Sequence, residues 1–195
     1  MTALPPFAAV VLAGGRAARL GGQAKPQLDV GGRSMLATVV AAVDGASPVV
    51  VVGPPQPVPD GVVLVREQPP GGGPVPALAA GLAAAGDAEV VAVLAADLPF
   101  LTPALVGALR ERLDGDGVLV VDETGRDQLL LGVWRTAALR AVTASARAHA
   151  PLRGLLAPLS VQRHRPESLP GEPAPWTDCD TPAELARARA AAVRP

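Results

Sequence analysis

The stretch FAAVVLAGGRAARLGGQAKPQL, residues 7–28, begins as a continuous apolar run and continues as a loop rich in glycine and basic residues. An apolar run without polar alternation is typical of a strand buried on both faces, as in a parallel sheet covered by helices. The run stops at Gly14 and Gly15, where the backbone can turn sharply. We therefore predict a first buried strand that leads into a glycine-rich loop.

Similar Val- and Leu-rich runs recur along the chain, at residues 48–52, 62–65, 89–95, 118–121 and 129–134. Helical patterns lie between or after them, at residues 34–45, 76–86, 102–115 and 181–193, and the last two begin with Thr-Pro, a helix-start signal. This alternation predicts an α/β fold with a doubly wound, mostly parallel sheet and helices on both faces. At 195 residues, the chain is expected to form one domain, residues 1–195.

Composition narrows the functional classes. The net charge is -1, which gives no electrostatic footprint for nucleic acid or for an acidic membrane surface. The N-terminal apolar run breaks after seven or eight residues, so we expect neither a secretory leader nor a membrane span. The single cysteine, Cys179, fits a reducing compartment, and we expect a cytoplasmic protein.

The glycine-rich loop is a candidate anion site. In open α/β sheets ligands bind beyond the carboxyl ends of the strands, and successive backbone N–H groups in a turn form an anion-binding nest. Arg16, Arg19 and Lys25 add positive charge, and Lys25 is the only lysine in the chain. The loop matches neither the P-loop nor the dinucleotide-binding fingerprint. From composition alone, an ordinary turn with solvated arginines remains the alternative.

The segment LAGGRAARLGGQAKP resembles the loop of nucleotidyltransferases that activate sugars and cofactors, and within them the molybdenum cofactor guanylyltransferases. That family typically has Asp before the lysine, where this chain has Ala24. The resemblance implies that the loop wraps the triphosphate of the nucleotide and that Lys25 and Arg19 act in catalysis. The nucleotide-binding residues that it implies here are Leu12, Ala13, Gly14, Gly15, Arg16 and Lys25.

Asp97 follows the apolar run 89–95, in the segment AVLAADLPFLTP. A carboxylate at the end of a buried strand needs a partner, and Mg²⁺ takes one or two carboxylates together with substrate phosphates. A turn or helix-capping Asp is the alternative. The segment resembles the family element whose Asp binds magnesium, which implies that Asp97 is a metal ligand, a catalytic residue and part of the nucleotide site.

Two further aspartates lie in the segment WTDCDTPAELARAR, which starts at Trp176. Asp178 and Asp180 alternate, so in an extended segment both would point the same way. Asp180 could also simply precede the helix start. The segment resembles the closing motif of the family in its acidic form. This implies that Asp180 is a second metal ligand and that both residues are candidates for substrate binding.

The middle of the chain carries three weaker resemblances. Gly73 and Pro74 match a family loop that lies against the nucleotide base, although backbone groups there could read guanine or a pyrimidine. The segment DETGRDQLLLGVWR resembles a strand pair of the family, with Gln128 and Leu129 near its Pro-Leu pair; without that resemblance, Asp127 and Gln128 would be taken as a hairpin turn. Arg153 matches an arginine that faces the pterin-bearing substrate in the family, and its guanidinium suits a phosphate.

Together these resemblances imply transfer of GMP from Mg-GTP to the phosphate of the molybdopterin cofactor, with release of pyrophosphate. The implied cofactor is Mg²⁺, and the implied partners are GTP, molybdopterin and, transiently, proteins of cofactor synthesis or molybdoenzymes. Two alternatives stay open: a cytidylyltransferase acting on the same cofactor or on a sugar or polyol phosphate, and a catalytically idle nucleotide-binding module.

Overall fold

The computed structural model describes residues 4–14, 19–20, 23–146, 150–167 and 171–193. Its centre is a seven-stranded sheet with the order β11-β9-β10-β8-β1-β6-β7. The strands are β1 (Phe7–Leu12), β6 (Val49–Val52), β7 (Val63–Val65), β8 (Val90–Ala95), β9 (Gly117–Val121), β10 (Asp127–Arg135) and β11 (Val161–His164). All neighbours pair in parallel except β10, which is antiparallel to both β8 and β9. The predicted mostly parallel sheet is confirmed.

The described residues form six α-helices. They are α1 (Met35–Ala42), α2 (Pro74–Ala84), α3 (Pro103–Glu111), α4 (Thr136–Ala144), α5 (Leu152–Leu156) and α6 (Pro182–Ala192). The predicted starts are confirmed at Ser34, Thr102 and Thr181, whose side chains each accept a backbone N–H from the first turn. At Thr181 the bond is reciprocal, because Glu184 accepts the N–H of Thr181 in a capping box.

Alternate residues of β1 enter two separate cores. Ala9 and Val11 pack with residues of α1 and α3 on one face, whereas Ala8 and Val10 pack with residues of α2, α4 and α5 on the other. Both sets are fully buried. This arrangement explains why the strand sequence is apolar without alternation, and it confirms the doubly wound architecture.

Helix α2 lies unusually close to the sheet at Gly81. A Cβ at this position would be 2.3 Å from Cγ1 of Val10 and 3.0 Å from Cγ2 of Val52. Gly81→Ala is therefore expected to overpack this core and to lower the free energy of unfolding by about 1–3 kcal/mol. The measurement is urea denaturation. The matched control is Gly107→Ala in α3, where nothing lies within 4 Å of the added Cβ. An unaltered stability in Gly81→Ala would contradict the close packing.

Several boundaries differ from the prediction. Helix α2 begins at Pro74, two residues before the predicted start, because Gly73 takes a φ of 95° and lets Pro74 occupy the first helical position. Asp127 and Gln128 belong to β10, as the resemblance to a strand pair implies, and not to the hairpin turn that these residues alone would suggest. The turn lies earlier, where Asp122 accepts the N–H groups of Thr124 and Arg126.

The structure also contains elements that the sequence patterns did not indicate. These are α4, α5, β11 and two small hairpins, formed by β2 (Arg19–Leu20) with β3 (Gln23–Ala24) and by β4 (Asp29–Val30) with β5 (Arg33–Ser34). Each is short or polar, and so it lacks a strong hydrophobic period. Within the described ranges, no helix has the length and apolar character needed to cross a membrane.

Candidate active site

A cavity of about 570 Å³ opens at the carboxyl ends of β1 and β8. It is lined by residues from the segment after β1, the loop before α2, the segment after β8 and the segment before α6. Eight predicted site residues line it: Leu12, Ala13, Gly14, Lys25, Gly73, Pro74, Asp97 and Asp180. The fold thus brings together positions that are distributed over most of the chain, at the sheet edge where ligands bind in α/β folds.

The centre of the site is a lysine bonded to two carboxylates. The Nζ atom of Lys25 donates to Oδ2 of Asp97 and to Oδ1 of Asp180, at 2.5 Å in each case. Lys25 is only 5% exposed, whereas the side chains of Asp97 and Asp180 are 21% and 60% exposed. The ammonium is therefore enclosed by protein, while the carboxylates still face the cavity.

The local backbone fixes Lys25 in this position. It begins a short 3-10 helix, Lys25–Gln27, whose second residue is Pro26, and it follows the hairpin of β2 and β3. The N–H of Leu28 closes the turn on the carbonyl of Lys25 at 3.1 Å. Because proline restricts φ, the turn is preorganised and the lysine side chain leaves it in a fixed direction.

The two carboxylates keep Lys25 charged. Burial lowers the pKa of the ammonium, but the hydrogen bonds to Asp180 and Asp97 and the charges of both groups together raise it above its ordinary 10.5. A group with a raised pKa stays protonated throughout the neutral range. Lys25 is therefore a permanent positive charge in the floor of the cavity.

Asp97 is held by the sheet. It lies two residues beyond the end of β8, and the N–H of the intervening Ala96 donates to the carbonyl of Leu12 at 3.1 Å. This bond ties the segment after β8 to the end of β1, whose following loop carries Gly14. The carboxylate and the glycine-rich loop are thus positioned by the same pair of neighbouring strands.

Asp180 is held by helix α6 and by a small third core. Cys179 is completely buried with Leu28, Val30 and Met35, which belong to the segment that follows Lys25. Arg189 of α6 also donates to the carbonyl of Asp29 at 2.9 Å. Cys179 packs inward, and burial raises the pKa of its thiol to about 11. The thiol is therefore protonated and unreactive at neutral pH.

Asp178 lies beside the main cavity. It lies in a neighbouring groove with Phe100, Glu184 and Arg187, and not among the residues that line the main cavity. Asp178 and Asp180 are both exposed and flank the buried Cys179, and burial together with the charges of Asp180 and Asp97 raises the pKa of the Asp178 carboxyl. Asp178 thus lies within electrostatic range of the main site without lining the cavity, and its role in substrate binding stays a prediction.

Glu67 is a site residue that the sequence patterns did not reveal. It lines the cavity, is 7% exposed, and its Oε1 accepts the N–H of Gly71 at 2.8 Å. Among the described residues, Gly71 is its only hydrogen-bond donor. The signal in the sequence is an acidic residue a few positions before the glycines of the loop that precedes α2. It carries no periodicity and could equally be an exposed loop residue.

Arg153 does not line this cavity. Its Nη1 donates to Oδ2 of Asp127 at 3.2 Å, and Arg163 of β11 donates to both oxygens of the same carboxylate, at 2.9 and 3.2 Å. The hydrogen bond from Arg163 is the main cause that lowers the pKa of Asp127 below its ordinary 3.8. Asp127 is mostly buried, whereas both arginines are largely exposed. The carboxylate of Asp127 thus binds the guanidinium groups of both Arg153 and Arg163.

The remaining predicted residues belong to the first loop. Gly15 and Arg16 lie outside the described residues. Arg19 is a residue of β2, a strand of which only the backbone is described.

The donor set at Lys25 suits a divalent cation that is shared with a substrate. No group of three or more His, Cys, Asp or Glu residues that could hold a metal occurs among the described residues. Asp97 and Asp180 nevertheless direct one oxygen each to a common point. Mg²⁺ is commonly bound in this way, by one or two carboxylates with phosphate oxygens and water in its other positions.

Comparison with known proteins finds relatives of this chain. The family model of the MobA-like NTP transferase domain matches residues 9–168. A Mycobacterium tuberculosis protein named probable molybdenum cofactor guanylyltransferase is 38% identical over 138 residues, which are 67% of this chain and 69% of that protein. A molybdenum cofactor guanylyltransferase of Xanthomonas euvesicatoria is 35% identical over 189 residues, 96% of either chain.

A solved structure shows the same fold. The molybdopterin-guanine dinucleotide biosynthesis protein A of Archaeoglobus fulgidus superposes with a TM-score of 0.70 at 20% identity. The superposition covers 93% of this chain and 96% of the other. At this identity the likeness establishes the architecture, and the chemistry of the site has to be argued from the residues.

Proposed function

Because the chain belongs to the MobA-like NTP transferase family and is a nucleotidyltransferase, we propose that it transfers GMP from GTP to the phosphate of the molybdopterin cofactor. The observation that carries the proposal is the buried Lys25 between Asp97 and Asp180, in the same cavity as Gly14. This arrangement combines a fixed cation with two carboxylate oxygens of the kind that Mg²⁺ prefers.

The chemistry requires positioning and charge neutralisation. An oxygen of the acceptor phosphate attacks the α-phosphorus of GTP, a new O–P bond forms, and the bond to the leaving pyrophosphate breaks. The attacking phosphate is already anionic at neutral pH, so no side-chain nucleophile is needed. Lys25 and the N–H groups near Gly14 would bind the phosphates and stabilise the charge on the transferred group. Mg²⁺ held by Asp97 and Asp180 would neutralise further triphosphate charge.

Glu67 favours guanine as the base. Its carboxylate accepts hydrogen bonds only, and it lies next to the loop of Gly71 and Gly73 in the same cavity. Guanine presents two adjacent donors, the N1–H and the 2-amino group, which one carboxylate can bind together. Cytosine presents an amino donor beside an acceptor nitrogen, which the carboxylate would repel. We therefore assign Glu67 to recognition of guanine.

Glu67→Gln is expected to lower kcat/KM for GTP about 10- to 100-fold, the usual cost of losing a hydrogen bond to a charged group. Gln retains an acceptor for the N–H of Gly71, so the loop should keep its shape. Kinetics with GTP and with CTP measure the effect, and Glu89→Gln, an exposed change at the opposite edge of the sheet, is the control. A GTP-to-CTP preference that is the same in Glu67→Gln and in the unmodified protein would exclude this role.

We propose that the acceptor binds on the side of Asp97 that faces away from the nucleotide. Along the sheet edge, the loop with Glu67 follows β7, Gly14 follows β1, Asp97 follows β8, and Asp127 starts β10. The nucleotide occupies the β7 to β8 part of this order, which leaves the region of β10, β9 and β11 for the acceptor. Arg153 and Arg163 lie there with most of their donor groups unused by Asp127. We assign this pair to the acceptor, with Asp127 as the positioning residue.

Asp127→Asn is expected to raise the acceptor KM about tenfold, because the arginines lose the charge that aligns them. The KM for GTP and kcat at saturating acceptor should stay within twofold. Initial rates over a range of molybdopterin concentrations give these constants, with Asp114→Asn as an exposed control. Equal effects on the KM values of GTP and acceptor would indicate a general structural defect and not a role in acceptor binding.

The proposed function has a direct test. Purified protein with Mg²⁺, molybdopterin and either GTP or CTP is expected to form the guanine dinucleotide and equimolar pyrophosphate with GTP alone. Product formation with CTP alone would establish a cytidylyltransferase. No turnover with either nucleotide, together with a nucleotide-induced rise in Tm, would support the idle nucleotide-binding module.

We also propose that residues 1–195 act as one nucleotidyltransferase domain in a reducing compartment such as the cytoplasm. The site uses residues from Leu12 to Asp180 and lies on one sheet, which supports a single domain. The one cysteine is buried as a free thiol, which suits a reducing environment.

A further inference from the structure

Lys25 and a divalent cation require the same oxygen atoms. The ammonium binds Oδ2 of Asp97 and Oδ1 of Asp180, and these are the oxygens that converge on a common point. A cation at the point where these two oxygens converge would occupy the position of the Lys25 ammonium, so it cannot bind there while Lys25 donates to both of them. Lys25 therefore already neutralises part of the charge of Asp97 and Asp180, the two residues that the proposed function assigns to the metal.

The charges make simultaneous occupation unfavourable. Two carboxylates carry a charge of −2, and the buried ammonium compensates half of it. A dication next to the ammonium would experience strong repulsion, because two like charges a few ångström apart are poorly screened at a buried site. A metal can therefore enter only when Lys25 moves away or when further negative charge arrives.

The nucleotide supplies both conditions. Lys25 lines the cavity beside Gly14, so a triphosphate bound there would be within reach of its ammonium. Transfer of the ammonium from the carboxylates to the phosphates would free the oxygens of Asp97 and Asp180. The phosphates would also add negative charge at the same point, which favours the dication.

From this geometry we infer that Lys25 blocks the metal site until nucleotide binds, so that metal and nucleotide load together. The inference rests on the proposed function, in which Asp97 and Asp180 hold the metal. By linkage, the nucleotide must raise the metal affinity by the same factor by which the metal raises the nucleotide affinity. Lys25 then has two successive partners, the carboxylates in the free protein and the triphosphate in the complex.

The first test measures Mn²⁺ binding to the full chain without nucleotide, from the loss of the free-ion electron paramagnetic resonance signal. Lys25→Met is expected to bind Mn²⁺ about 5- to 150-fold more tightly than the unmodified protein, the usual range of a coupling between two sites. Arg33→Met removes the same charge from an exposed residue of β5 and should change nothing. This gain in Mn²⁺ affinity should be absent in the double variant Lys25→Met/Asp97→Asn.

The second test needs no variant. Because Lys25 is the only lysine, selective labelling with ¹³C- and ¹⁵N-lysine gives a single side-chain signal by NMR. Millimolar Mg²⁺ alone is expected to leave this signal in place, and GTP with Mg²⁺ is expected to shift it. A shift of the signal by Mg²⁺ alone to its nucleotide-bound position would overturn the inference, even if Lys25→Met does not fold.

The outcomes separate the inference from the function. Equal Mn²⁺ affinity in the unmodified protein and in Lys25→Met would overturn the inference and leave guanylyl transfer untouched. No Mn²⁺ binding in any variant, with or without nucleotide, would overturn both the metal assignment and the inference. Guanylyl transfer itself is decided by the separate assay with GTP and CTP.

Discussion

Asp97→Asn is expected to lower kcat for guanylyl transfer about 10²- to 10³-fold, the typical cost of removing one electrostatic group from a preorganised site. Asn has nearly the same shape and can still accept the hydrogen bond from Lys25, so the fold should be retained. The substitution removes the negative charge that compensates the ammonium of Lys25 and would compensate the metal. Single-turnover rates at saturating GTP measure the effect on the chemical step, and thermal unfolding measures the fold.

The matched control is Asp87→Asn. Asp87 is an exposed aspartate in the loop before β8, so it lies at the opposite edge of the sheet from Asp97. Its turnover and Tm should equal those of the unmodified protein. Full turnover in Asp97→Asn would show that this carboxylate neither binds the metal nor positions Lys25 for catalysis.

Lys25→Arg is expected to lower kcat about 10²-fold although the charge is conserved. The ammonium of Lys25 occupies a buried position between two carboxylates, and a planar guanidinium needs more room and a different donor geometry. The new side chain must therefore displace Asp97 or Asp180 or leave the pocket. A misplacement of about 1 Å at a catalytic group is enough for a loss of this size.

The control for this exchange is Arg33→Lys, the reverse change at an exposed residue of β5. It should leave kcat and KM unaltered. If Lys25→Arg were fully active, charge alone would be sufficient, and the shape of the lysine would not explain why a chain with 17 Lys and Arg residues has its one lysine here.

The buried strands could be predicted from the sequence, and so could several residues that line the main cavity. Strands covered on both faces give continuous apolar runs, and β1 is the clearest case because its alternate residues fill two cores. Lys25, Asp97 and Asp180 could be identified because each lies in a local motif. The carboxyl ends of parallel strands meet at one edge, and this explains why Asp97 lies close to the loop after β1.

The hydrogen-bond partners of these residues could not be predicted from the sequence. A contact such as that of Lys25 with Asp180 joins residues 155 positions apart, and no local pattern encodes it. Glu67 has neither a period nor a strand end to mark it, and its burial arises only when the loop folds back so that Gly71 donates to it. The start of α2 at Pro74 depends on the φ of 95° at Gly73, which composition does not reveal.

The packing of α6 against the hairpin of β4 and β5 has a consequence for biosynthesis. A ribosome makes Lys25 long before Asp180, and at about 5–20 residues per second the 155 residues between them take roughly 8–30 s. Once Asp97 has also been made, the sheet can form while Asp97 is the only one of the two carboxylates available to the lysine. The nascent protein can therefore bury both faces of the sheet first, whereas the third core and the active site are completed only with Cys179, Asp180 and α6.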